Sequence, residues 1–331
     1  MSGNRSMKTL VTGSTGLLGN NVVRRWIEQG DAVRVLVRAS SDARAIDGLP
    51  VEVAQGDVRN EDDVMRAMRG VDRVVHCAAH VRIGRSEGAL ARAINVTGTQ
   101  NVCRAARAEG ARMVHVSSVD ALGLGKRGEP ADEDTPRIVK WPCPYVLTKR
   151  EGEEVVRSEI ERGLWAVIVN PGFMMGPWDW KPSSGRMMIQ VTRFQPLVAP
   201  VGGASLCDVR DVATGIGAAF ERGESGRSYV MAGENLSFRA IWTLFARAAR
   251  SRAPRFPMGP LIRIGASVFG DLWSLASGRE SEINSAAVRM AALKSFYRSD
   301  RAVRELGYPM RPAEQTVGDA WSWFRSHGYV R

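Results

Sequence analysis

Short apolar runs rich in β-branched residues alternate with longer helix-like segments through the first half of this chain of 331 residues. Apolar runs of about four to eight residues between turns indicate buried strands. The predicted strands are Lys8–Gly13, Ala32–Val37, Val51–Asp57, Asp72–Ala79, Arg112–Ser118 and Trp165–Gly172. The predicted helices are Leu17–Gln29, Glu87–Glu109 and Tyr145–Arg162. This order predicts an α/β fold with a doubly wound parallel sheet, covered on both faces by right-handed crossovers.

Gly13, Gly16 and Gly19 stand at three-residue intervals where the first strand passes into the first helix. In this strand–turn–helix context, a glycine-rich turn indicates a Rossmann-type site for the pyrophosphate of a dinucleotide. We expect Gly13 to form the tight turn, Gly16 to let the pyrophosphate approach, and Gly19 to let the helix pack closely on the strand. The helix start would add N–H groups and the positive end of the helix dipole. The other residues predicted to contact the cofactor at this turn are Thr15, Leu17 and Leu18.

Arg38 follows the second predicted strand, where an acidic residue would favour NAD by accepting a hydrogen bond from the ribose 2′-hydroxyl. A guanidinium at this position can pair with a 2′-phosphate, so we predict NADP, with NAD as the alternative. Asp57, after the third strand, is the candidate for binding the adenine amino group, and Val58 is assigned to the same subsite. A capping or turn role fits Asp57 equally well.

The regular alternation ends after Pro171. Residues 174–200 contain Pro, Gly, Trp and Met without a clear period, which predicts a loop-rich lobe lining a cleft. Further along, we predict helices at Val209–Glu221, Ser237–Arg250 and Ala313–His327 and a strand at Ser228–Gly233. Residues 1–172 are therefore assigned to the cofactor-binding domain, with segments around 205–235 returning to it. Residues 173–331 are assigned mainly to a smaller α/β substrate-binding lobe.

The net charge of +11 comes from arginine, because only six of the 46 basic residues are lysines. The arginines are scattered, which indicates a solvated surface and predicts no nucleic-acid partner. The four cysteines and four histidines lack ligand spacing, so neither a disulfide framework nor a metal site is expected. The first six residues contain no apolar signal-peptide core, which predicts a cytoplasmic protein. The apolar stretch at 258–278 is interrupted by Arg263 and Asp271, so we expect a helix that closes the second lobe and consider membrane contact unfavoured.

Tyr145 and Lys149 form a YxxxK sequence at helical i, i+4 spacing, which places the phenol and the ammonium on one helix face. A neighbouring ammonium favours the phenolate, so we expect Lys149 to lower the pKa of Tyr145 towards neutrality, where it can transfer protons. Ser117 and Ser118 end an upstream strand. Together with the glycine-rich turn, this order predicts a cofactor-dependent catalytic site.

The motifs TGSTGLLG, VVHCAA, NVTGTQNV, VHVSSVDALG, YVLTK and VNPGFMMGP occur in this order. The chain thereby resembles an extended short-chain dehydrogenase/reductase of the NAD-dependent epimerase/dehydratase family. Within it, the chain is similar to the dihydroflavonol-reductase-like branch and to bacterial hopanoid-associated sugar epimerases. It shares the segments GENLSFRAIW and RELGYPMRPAEQTVGDAWSWFRSHGY with them, and the resemblance covers Met7 to Tyr329.

The resemblance implies a role for each matching residue. Tyr145 would be the general acid/base, Lys149 would hold the nicotinamide ribose, and Ser118 would hydrogen-bond the substrate oxygen, with Ser117 as the alternative. Asn95 and Thr97 would lie on the long central helix near the cofactor, although a polar packing role is equally consistent. The small or rigid residues expected to border the dinucleotide are Ala78, Ala79, Pro171 and Gly172. Related proteins also often form homodimers by pairing the long central helix and the catalytic helix.

The chain departs from the family pattern in places that bear on the substrate. Ala121-Leu122-Gly123 replaces the usual VYG, and Cys207–Asp211 replaces a His-Val-Asp-Asp stretch, which argues against a nucleotide sugar held by the usual contacts. Val119 stands where sugar dehydratases have an acid beside the equivalent of Asp120, so dehydration is not expected.

We therefore expect an NADP(H)-dependent oxidoreductase acting on a secondary alcohol or a ketone of small-molecule size. The alternatives are a sugar epimerase with retained cofactor and a redox-inactive cofactor-binding regulatory protein. The substrate is expected near His80–Arg82, Met174–Lys181 and Met187–Gln195. Their aromatic and methionine side chains favour an apolar or ring-bearing substrate, although a lobe core would use the same residues.

Overall fold

The computed structural model describes residues 7–82, 87–126, 129–137, 142–277 and 284–330. The strands of these residues are β1 Lys8–Thr12, β2 Ala32–Val37, β3 Glu52–Gln55, β4 Arg73–His76, β5 Arg112–Val116, β6 Ala166–Pro171, β7 Phe173–Met175, β8 Val198–Ala199, β9 Gly203–Asp208, β10 Ser228–Met231, β11 Glu234–Ser237, β12 Phe256–Pro257 and β13 Lys294–Ser295. The helices are α1 Leu17–Glu28, α2 Glu61–Met68, α3 Gly88–Arg92, α4 Thr99–Glu109, α5 Pro144–Glu161, α6 Ser184–Phe194, α7 Val209–Arg222, α8 Phe238–Ala248, α9 Pro260–Ser277, α10 Ser285–Met290 and α11 Ala313–Ser326.

Across the described residues, seven strands form one parallel sheet in the order β3-β2-β1-β4-β5-β6-β10. The chain order reverses on either side of β1, where Thr12 is in register with Leu36 of β2 and with His76 of β4. Such a reversal opens a crevice at the carboxyl ends of the strands, where cofactors bind in this architecture. The predicted fold class is thus confirmed, and the glycine-rich turn lies at this crevice.

Helices cover both faces of the sheet. On one face α1 packs against α7, and Trp26 contacts Phe220 edge-on with ring centroids 6.5 Å apart. On the other face α2, α4 and α5 pack side by side over a separate apolar core. Burial on both faces explains why the strands read as nearly continuous apolar runs.

The second lobe is built around β9, which pairs with β7, β11 and β13. The stretch expected to be loop-rich contains α6, so that expectation was wrong for residues 184–194. Its buried residues Gly185, Met188, Val191 and Thr192 follow helical spacing. The prolines and glycines that flank this short apolar stripe obscured its period.

The long helix predicted at Glu87–Glu109 is interrupted, because a π-helical turn at Ala93–Gly98 separates α3 from α4. In this turn the Asn95 carbonyl comes so close to Gly152 of α5 that a Cβ there would lie 2.7 Å from the oxygen. π-turns are frequent at functional sites, and this one brings the central helix against the helix that carries Tyr145 and Lys149.

The helix expected within 258–278 is present as α9, but it does not close the second lobe as predicted. Its large apolar side chains face outward, and Leu261 is 82% exposed. Among the described residues, no helix is long and apolar enough to cross a membrane.

Candidate active site

The glycine-rich turn is packed tightly at two of its three glycines. Gly13 has a φ of +70°, and a Cβ there would lie 2.6 Å from the backbone nitrogen of Ala78. A Cβ on Gly19 would lie 2.2 Å from the Gly13 carbonyl oxygen, so Gly19 allows the turn itself to close. Both positions exclude a side chain for steric reasons.

Gly16 is exposed and is the N-cap residue of α1, with no side-chain capping bond. The first turn of α1, Leu-Leu-Gly-Asn, also contains no acidic side chain. The N–H groups and the positive end of the helix therefore face the crevice without a competing carboxylate, which fits an anionic ligand. Leu17 and Leu18 point into the core, so only their backbone groups can reach a ligand, and Thr15 is half-buried beside them.

Residues after β4 form the opposite side of the crevice. The Ala78 N–H donates to the Thr12 hydroxyl at 3.3 Å, which holds this segment against β1, and Ala79 follows it half-buried. The amide of the buried Asn95 holds the next residue, since Oδ1 accepts from the His80 N–H at 2.7 Å. Asn95 also donates to the Thr148 hydroxyl at 3.0 Å. Asn95 thus has the packing role left open above, and a direct contact with the cofactor stays a prediction.

Arg38 and Asp57 lie at the ends of β2 and β3. Arg38 is exposed, whereas both carboxylate oxygens of Asp57 accept hydrogen bonds from Arg59, at 3.0 and 2.7 Å. The Arg59 hydrogen bond is the main cause that lowers the pKa of Asp57, and Arg38 adds to it. Asp57 therefore acts in the turn, and its contact with an adenine stays a prediction. Val58 is buried, and its carbonyl accepts from the Asn101 amide at 2.9 Å.

Ser118, Tyr145 and Lys149 come together where β5 ends and α5 begins. Ser118 caps a short 3-10 turn by accepting from the Asp120 N–H at 3.1 Å. The Ser118 hydroxyl also acts on the pKa of the Tyr145 phenol, in the direction that favours the phenolate. Lys149 is buried and donates from Nζ to the Val116 carbonyl at 2.8 Å. The structure thus assembles the three residues that the YxxxK and serine motifs singled out.

The pKa of Tyr145 nevertheless changes in the direction opposite to the one expected from its spacing to Lys149. Burial raises the pKa of the phenol above its ordinary value, and the nearby Asp120 carboxylate raises it further. Lys149 is itself perturbed, because burial lowers its pKa to about 8. Helical spacing gave the shared face correctly but could not show the burial that shifts the pKa values of both groups.

Sequence reasoning missed a buried polar group behind these residues. The Asn170 amide donates to the Ser118 carbonyl at 3.0 Å and to Glu153 Oε1 at 2.7 Å. Glu153 is fully buried, forms an ion pair with Arg137, and raises the pKa of Lys149. The available signal was the position of Glu153, one helical turn after Lys149 on the same face.

Two buried histidines lie beneath Lys149. The His76 ring bonds the hydroxyls of Thr12 and Thr99 at 2.7 and 3.1 Å, and burial lowers its pKa to about 3. The His115 ring lies 5.5 Å away, and burial also lowers its pKa. Its nitrogens have no hydrogen-bond partner in the part of the chain that the structure describes. Both rings are therefore neutral.

The segment after β6 passes close to the second lobe. The Gly172 N–H donates to the Met231 carbonyl at 3.0 Å, and a Cβ on Gly172 would lie 2.4 Å from the Ser205 carbonyl oxygen. Pro171 is buried just before it. This narrow crossing fits a ring bordered by backbone, and that contact stays a prediction.

Several side chains expected at the substrate belong to the core of the lobe. Trp178 and Trp180 pack against Trp323 of α11, with ring centroids 6.1 and 5.2 Å apart. Met175 is buried in the same apolar cluster. These residues therefore have the alternative role stated above, as part of the apolar core of the second lobe. The described residues also contain no cluster of three or more His, Cys, Asp or Glu that could hold a metal ion.

The sheet order, the glycine-rich turn and the crevice define a dinucleotide-binding α/β protein. The sequence model for the NAD dependent epimerase/dehydratase family matches residues 9–232, and the chain belongs to this family. It is an enzyme of the extended short-chain dehydrogenase/reductase class, an NAD(P)-dependent oxidoreductase or epimerase.

Three relatives match nearly the whole chain. A Synechocystis sp. protein with the provisional name dihydroflavonol 4-reductase is 34% identical over 97% of this chain and 95% of its own length. Sterol demethylase protein B of Methylococcus capsulatus is 32% identical over 98% of this chain and 100% of its own length. The 4-hydroxy-2-methyl-3-oxo-4-farnesyl-3,4-dihydroquinoline-1-oxide ketoreductase of Stigmatella aurantiaca is 30% identical over 95% of each chain.

Among solved structures, a nucleoside-diphosphate-sugar epimerase from Pseudomonas aeruginosa, PA4631, superposes with a TM-score of 0.82. It is 25% identical over 98% of this chain and 99% of its own. These similarities confirm the dihydroflavonol-reductase-like and epimerase-like resemblance of the sequence.

Proposed function

We propose that this protein is an NADP(H)-preferring oxidoreductase that interconverts a secondary alcohol and a ketone. The proposal rests on three side chains that meet at the start of α5: the Ser118 hydroxyl, the Tyr145 phenol on whose pKa it acts, and the buried ammonium of Lys149, which donates to the Val116 carbonyl two residues before Ser118. When a serine hydroxyl and a tyrosine phenol lie side by side, both can hydrogen-bond a single substrate oxygen.

The residues around the crevice fit a dinucleotide, because the N-terminus of α1 is uncapped at Gly16 and the turn excludes side chains. A bound nicotinamide cofactor supplies the hydride chemistry of this site. Arg38 would hold its 2′-phosphate, Lys149 its nicotinamide ribose, and Pro171 and Gly172 would border its ring.

The protonation state of Tyr145 favours reduction. Because burial and Asp120 raise its pKa, the phenol keeps its proton at neutral pH. It can then donate that proton to a ketone oxygen while Ser118 donates a second hydrogen bond to the same oxygen. We infer that Tyr145 is the general acid and Ser118 the polarising group.

We further propose that the substrate is a lipophilic ketone. Two relatives that match nearly the whole chain carry names with a sterol and with a farnesyl-bearing quinoline oxide. In this chain, the sulfur atoms of Cys143 and Met290 contact each other at 3.8 Å, and Cys143 precedes Tyr145 by two residues, so apolar side chains pack at the start of the helix that carries the phenol.

The test is turnover of a panel of ring-bearing and alkyl ketones with NADPH and with NADH. We expect NADPH oxidation by the wild type and a loss of about 10²–10⁴-fold in Tyr145→Phe, with cofactor affinity retained. Tyr308→Phe is the matched control, because the Tyr308 hydroxyl is buried and has no hydrogen-bond partner among the described residues. Equal turnover by both variants and the wild type would contradict the role of Tyr145.

Sugar epimerisation is the second candidate, favoured by the similarity to the Pseudomonas aeruginosa epimerase along nearly the whole chain. An epimerase of this kind keeps its cofactor, so the purified protein would carry it and no net NADPH would be consumed. A redox-inactive regulatory protein would bind cofactor without any turnover that Tyr145→Phe alters. Homodimer formation through α4 and α5 also stays a proposal, checked by sedimentation velocity.

A further inference from the structure

Helix α9 turns a continuous apolar face away from the protein. Seven large apolar side chains on this helix are between 50 and 82% exposed: Leu261, Ile262, Ile264, Val268, Phe269, Leu272 and Trp273. At about 100° per residue they occupy one half of the helix circumference. The opposite half, with Arg263, Ser267, Gly270 and Asp271, is the less exposed one. The polarity of this helix is therefore the reverse of that of an ordinary helix on a protein surface.

The inner half of α9 is attached to the catalytic side of the protein. The Asp271 carboxylate accepts a hydrogen bond from the Ser285 N–H of α10 at 3.0 Å. At the end of α10, Met290 contacts Cys143, the N-cap residue of α5 and close neighbour of Tyr145. Helix α9 is thus connected, through α10, to the start of the helix that carries Tyr145.

Three further exposed apolar side chains lie around the β8–β12 pair, and β12 ends shortly before α9 begins. Phe194, Leu197 and Phe256 are all more than 60% exposed. Pairing between β8 and β12 brings them together, because Arg255 and Phe256 both donate backbone hydrogen bonds to the Leu197 carbonyl, at 2.9 and 3.1 Å. We call these three residues and the seven of α9 the apolar platform. Large apolar side chains exposed in this number mark an interaction site.

Positive charge accompanies the apolar platform. Residues 235–270 contain six arginines and no lysine, aspartate or glutamate. Arg252 and Arg255, directly before α9, are exposed, and the Arg193 guanidinium lies 5.4 Å from the centre of the Phe194 ring. Arginines can bind negative charge at the surface of a ligand, and the exposed apolar side chains beside them can enter an apolar layer beneath that charge.

We propose that the apolar platform docks on the anionic surface of a lipid bilayer. The apolar side chains enter the boundary between headgroups and acyl chains, and the arginines bind the lipid phosphates. Helix α9 lies in the plane of the membrane surface, since no described helix is suited to crossing it. This proposal runs against the sequence expectation that membrane contact is unfavoured, which stays a prediction, and it does not depend on which reaction the active site performs.

The test is flotation of the full chain with vesicles of phosphatidylcholine alone and of phosphatidylcholine mixed with phosphatidylglycerol. We expect binding to the mixed vesicles that weakens with salt. Val268→Glu should reduce this binding about tenfold or more, because the charge would have to enter the apolar boundary. Val53→Glu is the matched control and should bind like the wild type, since Val53 is 51% exposed on β3 and Val268 is 53% exposed.

A second pair of variants tests the charge. Replacing Arg252 and Arg255 by Ala should weaken binding to the mixed vesicles about fivefold per arginine. The control is Arg69→Ala in the cofactor-binding domain, which should leave vesicle binding unchanged. If Val268→Glu folds poorly, Phe269→Ser tests the contribution of the apolar side chains instead. Thermal unfolding of each variant shows whether it is folded.

Absence of wild-type binding to either vesicle, or undiminished binding by Val268→Glu and Phe269→Ser, would overturn the proposal. So would a dimer that Val268→Glu dissociates in sedimentation velocity without any vesicle binding, because a second copy would then cover the platform. Each of these outcomes leaves the ketone-reduction test untouched.

Discussion

The Asn170 amide lies 2.7 Å from Glu153 Oε1 and donates from the same nitrogen to the Ser118 carbonyl at 3.0 Å. One buried side chain thus joins the strand end that carries Ser118 to the helix that carries Tyr145 and Lys149. Hydrogen bonds in the protein interior are electrostatically stronger than in water, so these two bonds hold the groups that they join. The relative position of the serine and the tyrosine therefore depends on residues that need not touch substrate.

Glu153 is expected to set the alkaline limit of activity. The ammonium of Lys149, with a pKa of about 8, loses its proton above that pH, so kcat/KM of the free enzyme should fall there. The Glu153 carboxylate raises the pKa of Lys149, so Glu153→Gln should move the alkaline limb to lower pH. The control is Glu154→Gln, because Glu154 also pairs with Arg137 but is exposed. An alkaline limb at the same pH in both variants would argue against this role.

Arg38 is expected to determine the cofactor preference. Arg38→Ala should weaken NADPH binding by about 10–100-fold through loss of charge-assisted hydrogen bonds and leave NADH binding nearly unchanged. Isothermal titration calorimetry with each cofactor measures this difference. Arg44→Ala is the control, because the Arg44 guanidinium is already paired with Asp42 at 2.6 Å. Equal losses for the two cofactors would exclude contact with a 2′-phosphate.

Gly19 should not tolerate a methyl group. In Gly19→Ala the new Cβ would collide with the Gly13 carbonyl, so the free energy of unfolding should fall by about 1–3 kcal/mol and cofactor binding should weaken. Gly217→Ala is the matched change in α7, where a Cβ meets nothing within 4 Å. That variant should be more stable by about 0.4–1 kcal/mol. Urea denaturation measures the free energy of unfolding of both variants. If Gly19→Ala were the more stable of the two, the turn would not be tightly packed.

His115 should make the fold sensitive to mild acid. Its pKa lies well below the unfolded value of about 6.5 because the ring is buried, so the unfolded chain binds more protons below that pH. The free energy of unfolding should therefore be constant above pH 6.5 and fall by about 1.4 kcal/mol per pH unit for this group as the pH decreases further. His115→Leu should remove this contribution. Parallel stability curves for variant and wild type between about pH 6.5 and 5 would refute this account.

The sequence alone determined the backbone architecture. Alternating apolar runs and helices predicted the parallel sheet, and the spacing of Gly13, Gly16 and Gly19 predicted the turn at its crevice. These predictions succeed because strand burial and tight turns depend on local residue type. The same locality placed Tyr145 and Lys149 on one helix face.

The tertiary structure decided what depends on neighbours distant in the chain. Asn170 and Glu153 meet from β6 and α5, and burial between such elements reversed the expected pKa shift of Tyr145. The outward direction of the apolar side chains of α9 likewise depended on what packs against that helix. Composition showed that 258–278 is apolar, but only the packing of neighbouring elements determines which half of a helix is covered.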